Sequence, residues 1–98
     1  MEIVKSRNNV TTTVRISGRI DTTTSPELDK ELRDSFDKCN ELLLDFAEVE
    51  YISSAGLRVL LSAQKVMSRK GGMRLRHVSE DIMEIFEVTG FSEILDIE

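Results

Sequence analysis

The chain alternates two kinds of hydrophobic spacing. Residues 3–6 and 10–17 read as two strands, because Val10, Thr11, Thr12, Thr13, Val14 and Ile16 are mostly β-branched and suit a pleated surface. Arg7-Asn8-Asn9 between them is a turn signal, which predicts an antiparallel hairpin, and Gly18 is expected to end the second strand. The spacing then changes to helical. Helix 1 is predicted from Ser25, with Ser25 as its cap and Pro26 at the first helical position, and Leu28, Leu32, Phe36 and Cys39 form one apolar stripe. The short run Leu42-Leu43-Leu44-Asp45-Phe46 reads as a central strand covered on both faces, followed by a loop from Glu48 to Ile52. Helix 2 is predicted from about Ser54 to about Lys70, with Leu57, Leu60, Leu61 and Met67 on one side, flanked by Val59, Ala63 and Val66. Gly71-Gly72 stops it.

Met73 to Val78 alternates as a further strand. Ser79 caps helix 3, Glu80 and Asp81 suit the positive end of its dipole, and Ile82, Ile85, Phe86 and Val88 are the expected buried face. Gly90 ends it, with Phe91 placed for the apolar contact that follows such a stop, and Ile94, Leu95 and Ile97 suggest a short last strand. The order β-β-α-β-α-β-α, with a possible final β, predicts a single α/β domain over residues 1–98. Its sheet is mixed and mostly parallel, of four to five strands, with an N-terminal hairpin and helices packed on it.

Composition narrows the function. Eighteen acids against thirteen bases give a net charge of −5, which argues against nucleic-acid binding. Arg69, Lys70, Arg74 and Arg76 are the basic residues that cluster, and a solvated rim accounts for them. With Cys39 as its sole cysteine the chain can form no internal disulfide, and a buried filler at a helix end is the expected role. No stretch is apolar enough to span a membrane and the N-terminus has no signal-peptide layout, so a cytoplasmic protein is expected. One Cys and one His cannot supply a zinc site, so no metal is expected. His77 reads as structural, and Gly71-Gly72 follows a helix, so it is no phosphate-binding loop. No cofactor and no catalytic residues are expected, and the reading is of a binding module rather than an enzyme.

Two hydroxyl-rich segments precede helices and should meet on one sheet edge. One is Gly18-Arg19-Ile20-Asp21-Thr22-Thr23-Thr24-Ser25-Pro26; the other runs from Tyr51 through Ser53-Ser54-Ala55-Gly56 to Leu61, with Arg58 one turn into the helix. The small residues Ala55 and Gly56 would leave the helix N-terminus open to a partner or an anion. Ordinary turn and capping chemistry, with tight packing at Ala55 and Gly56, is the competing explanation.

At these residues the chain resembles the STAS domain family, in particular the bacterial anti-sigma factor antagonists. The resemblance rests on Gly18-Arg19-Ile20-Asp21, on Leu44-Asp45-Phe46 with Val49 and Ile52-Ser53-Ser54-Ala55-Gly56-Leu57, and on Val88-Thr89-Gly90-Phe91. It implies binding to an anti-sigma factor that is also a serine kinase of the GHKL ATPase type, with release of the sigma factor. It implies Ser54 as the phosphorylated residue, with Ser53 as the second choice, and a phosphatase that reverses the reaction. The family motif's aspartate falls on Ser53 here, and Asp21 matches the aspartate beside the modified serine. The implied partner face comprises Asp21, Thr22, Thr23, Ser53, Ala55, Gly56 and Arg58. Binding neither nucleic acid nor membrane, the free protein is expected to be monomeric. A STAS module in another assembly, such as a stressosome-like scaffold or a lipid-transport complex, is the nearest alternative. A small nucleotide-binding protein is the third.

Overall fold

The computed structural model describes residues 1–98. β1 (Glu2–Asn8) and β2 (Thr11–Ile20) form the antiparallel hairpin, closed at Asn9 and Val10, so β1 runs two residues beyond the sequence expectation. Asn9 takes the left-handed conformation at φ 57°, which asparagine tolerates. α1 (Ser25–Phe36), β3 (Glu41–Ile52), α2 (Ser54–Met67), β4 (Met73–Arg76), α3 (Glu80–Thr89), a 3₁₀ turn at Phe91–Glu93 and β5 (Asp96–Ile97) follow. The sheet has five strands in chain order; β1 is antiparallel and β2 to β5 are parallel.

The helices occupy one face of the sheet. Alternate residues of β2 (Val14, Ile16, Ile20), β3 (Leu42, Leu44, Phe46) and β4 (Met73, Leu75) point into it. They join Leu28 and Leu32 of α1, Leu57, Leu60, Ala63 and Met67 of α2, and Ile82 and Phe86 of α3 in a contiguous core. The Phe46 and Phe86 rings meet with centroids 6.2 Å apart. Cys39 is buried and donates its thiol proton to the Ser35 carbonyl, as a filler at a helix end should. Phe91 packs against the same core.

Several expectations are corrected. β3 is buried on both faces over Leu42 to Phe46, but helices cover only one: Leu43 and Asp45 lie on the side away from them, beneath side chains that include Val4, Thr13, Arg15 and Arg76. The strand does not end at Phe46. The expected loop at 48–52 is strand, because β2 does not stop at Gly18 and offers β3 a partner to the end. Gly18 (φ +93°) lies at one of two register shifts, where a bulge turns the β2–β3 ribbon without ending it. Ser25 does not cap α1. Thr24 is the N-cap and Ser25 is a buried first-turn residue whose hydroxyl donates to the Asp21 carbonyl. Val88 is not buried; its side chain is 81% exposed. α2 ends at Met67, three residues before Lys70, and Val66 and Leu61 lie at its margin rather than in the core.

Candidate functional site

β2 and β3 are parallel and outlast β4, so both deliver their C-termini to the same edge. Ile20 pairs with Ile52, and the Ser53 N–H donates to the Ile20 carbonyl at 2.8 Å. The residues that follow, Asp21 on one side and Ser54 on the other, therefore start from hydrogen-bonded neighbours. Both segments thus meet on one edge, as the alternation of strand and helix predicts.

The Asp21 loop is built by its own side chains. The Asp21 carboxylate accepts from the N–H groups of Thr23 and Thr24, both at 3.0 Å, and from the Thr24 hydroxyl at 3.2 Å. Thr24 Oγ1 accepts from the Asp21 N–H, and its one proton is shared between the Asp21 carboxylate and the closer Arg19 carbonyl at 2.8 Å. Asp21 so closes the turn that leads into α1, whose N-cap Thr24 makes no side-chain cap bond of its own. The Thr24 N–H leads the effects that hold the Asp21 carboxyl below its ordinary value. Thr23, the Thr24 hydroxyl and Arg19 act the same way, and together they exceed the opposing effect of desolvation. Thr22 and Thr23 are exposed at the tip.

Across the edge, Ser53 is the N-cap of α2 and its hydroxyl accepts from the Gly56 N–H at 3.4 Å. Ser54 is the first helical residue and is exposed. The first N–H groups of a helix have no preceding turn to bind, so an anion on that side chain would find donors at hand. Ala55 is half-buried and Arg58 is exposed. Gly56 is different. It is buried, and a β-carbon there would lie 2.7 Å from Ile20 Cγ2 and 2.8 Å from Ile52 Cγ1. Its smallness seats α2 on the ends of β2 and β3, as the packing explanation has it, and it offers a partner little surface.

Two residues of this edge escaped sequence reasoning. Arg19 and Tyr51 are paired across β2 and β3, and the guanidinium lies over the Tyr51 ring at 4.3 Å from its centroid. Arg19 Nε also stands 3.9 Å from the Asp21 carboxylate. Their pairing depends on the bulges, and only the residue types were visible in the sequence. His77, just beyond β4 at φ 60°, lies outside this cluster and pairs through Nδ1 with Asp45 at 3.0 Å.

A five-stranded sheet with helices on one face, and an edge made by a serine-capped helix beside an aspartate loop, define the class. The STAS domain model matches residues 2–98, and the chain belongs to that family. Among its relatives is the anti-sigma-B factor antagonist of Bacillus subtilis. It is 29% identical over 98 residues, covering 99% of this chain and 88% of the relative. An anti-sigma factor antagonist from Mycobacterium paratuberculosis has the same fold, with a TM-score of 0.89 at 21% identity over 98% of this chain and 83% of that one. The anti-sigma factor antagonist SpoIIAA of Bacillus has been solved unphosphorylated and phosphorylated. The TM-scores are 0.77 and 0.75 at 12% and 13% identity, each over 99% of this chain and over 87% and 91% of the two structures. No helix of this chain is long and apolar enough to cross a membrane.

Proposed function

We propose that this chain is an anti-sigma factor antagonist: unphosphorylated, it binds an anti-sigma factor and frees the sigma factor, and phosphorylation of Ser54 abolishes that binding. The observation that carries the reading is an exposed Ser54 hydroxyl at the head of α2, on the edge that also holds Asp21. The partner is an anti-sigma serine kinase of the GHKL ATPase type, and a phosphatase resets the switch. The contact face is Asp21, Thr22, Thr23, Ser53, Ser54, Ala55 and Arg58, with Gly56 beneath it as support. The protein acts in the cytoplasm, is monomeric when free and catalyses nothing itself.

The chemistry is electrostatic. A phosphoryl group adds about −1.5 to −2 charge at neutral pH and three acceptor oxygens. The helix N-terminus tolerates that charge, so the fold survives. A partner pressed onto the same edge would have to desolvate it beside an ionised Asp21. Like charges brought together across an interface cost on the order of several kcal/mol, and each ~1.4 kcal/mol is tenfold in affinity.

The test is phosphorylation in vitro by a GHKL anti-sigma kinase of the same organism, with the modified residue located by mass spectrometry. Wild type should take one phosphate at Ser54, and Ser54→Ala should take none yet still bind the kinase. Phosphorylated wild type should lose at least a hundredfold in affinity. Undiminished binding by the phosphorylated chain sinks the proposal.

A further inference from the structure

The charge of the molecule is unevenly placed. From Ser79 to Glu98 the chain carries seven carboxylates and neither lysine nor arginine, whereas residues 1–78 hold eleven acids and thirteen bases. α3 carries four of the seven: Glu80, Asp81, Glu84 and Glu87. None of them takes part in an ion pair.

α3 is built as if for two sides. Ile82 and Phe86 enter the core. The outward residues Asp81, Glu84, Ile85, Val88 and Thr89 recur at helical spacing and line a shallow depression along the helix. Val88 is the most exposed large apolar residue of the protein, at 81%, and Ile85 beside it is half-buried. Ile85 lends one side to the core and Asp81 suits the first turn, but folding gains little from the rest of this face. An exposed β-branched residue has low helix propensity. Glu80 and Glu84, Asp81 and Glu84, and Glu84 and Glu87 are like charges at destabilising spacings. Glu87 also sits toward the negative end of the helix dipole. Apolar surface framed by unpaired charge, beside an exposed Val88 and a Glu84–Glu87 repulsion that bring the fold no gain, marks an interaction site.

We propose that the outer face of α3 docks a basic amphipathic helix of another protein, separately from the Ser54 edge. Charge complementarity selects the occupant. An apolar ridge would lie on Ile85 and Val88, while lysine or arginine on either flank would meet Glu84, Glu87 and Asp81. A second copy presenting the same face would oppose carboxylate to carboxylate. The inference does not depend on Ser54 being phosphorylated, and its test leaves that residue untouched.

The probe is a 14-residue amphipathic helix of leucine and lysine, titrated into the isotope-labelled full chain and followed by amide chemical shifts. A scrambled peptide of the same composition but with no apolar face serves as control. The leucine–lysine helix should give saturable shifts centred on residues 81–89, and the scrambled peptide should bind at least tenfold more weakly. Val88→Asp and the double variant Glu84→Lys with Glu87→Lys should each weaken binding tenfold or more, with unchanged circular dichroism and thermal midpoint showing that α3 still forms. Equal binding by the scrambled peptide would mean charge alone and overturn the proposal. So would shifts centred on another surface, unchanged binding by Val88→Asp, or concentration-dependent self-association of the free chain that Val88→Asp removes.

Discussion

Gly56 shows how much can hang on a missing methyl group. Read in sequence, Ala55-Gly56 after two serines suggests a helix mouth left open for a partner. In the fold Gly56 faces inward, against Ile20 and Ile52, the paired ends of β2 and β3. The two closest contacts a β-carbon would make, at 2.7 and 2.8 Å, are with branched, buried side chains. Gly56→Ala should therefore destabilise by about 1–3 kcal/mol through overpacking, lowering the urea midpoint, even though alanine is the better helix former. A midpoint equal to wild type would show that α2 can shift without cost. Val88 is the opposite case: its apolar character and helical position suggest the core, and the fold leaves it outside. Helical spacing gives the stripe but not its width, and Ile82 with Phe86 already fills the space beneath α3.

At the scale of elements, starts and stops were legible where local chemistry sets them. Ser79 caps α3, accepting from the Ile82 N–H, and Gly90 ends it, as the sequence suggests. The length of β3 was not legible, because Ala47-Glu48 breaks the alternation where the ladder shifts register, and a bulge is a property of two strands together. The N-cap of α1 was not legible for a similar reason: the Asp21 carboxylate holds the N–H groups of Thr23 and Thr24 in a turn that makes Thr24 the N-cap, and Ser25, the obvious cap, is buried. That the two hydroxyl-rich segments converge was legible from parallel alternation, whereas the Arg19–Tyr51 stack was not. α2 offers a direct test of capping. Ser53→Ala removes the acceptor for the Gly56 N–H and should cost about 0.5–1 kcal/mol. Ser53→Asp keeps an acceptor and adds a negative charge at the positive end of the helix, so its stability should equal or exceed wild type by a few tenths of a kcal/mol. Chemical denaturation of the three proteins checks the order. A Ser53→Asp chain less stable than Ser53→Ala would mean that the charge is poorly placed.

The whole molecule has one contiguous core shared by sheet and helices, so it should unfold in a single transition, and its acid sensitivity should be a property of that transition. Three carboxyls are held below their ordinary values in the folded chain. Glu31 is lowered mainly by its hydrogen bond and charge pairing with Lys5. For Asp45, burial is the largest effect and acts upward, but it is outweighed by the Ala47 N–H together with His77 and Arg76. A carboxyl whose folded value is depressed binds protons more readily in the unfolded chain. Its contribution is therefore complete above the unfolded value, near pH 4, and is lost as the pH falls through the folded one. Stability should be flat in these terms above about pH 5 and decline as the pH falls below about 4. Salt should separate the contributors. The Lys5–Glu31 pair is about a third exposed and is screened at high ionic strength, whereas the Asp45 side chain is only 7% exposed and is screened much less. In 0.5 M sodium chloride, urea midpoints of wild type should still fall with acid, while Asp45→Asn, less stable at pH 7 because Arg76 loses its counter-charge, should fall less steeply over the same interval. Parallel declines in the two proteins would place the acid sensitivity elsewhere, and would reduce the carboxylate beneath the open face of the sheet to a local hydrogen-bond acceptor.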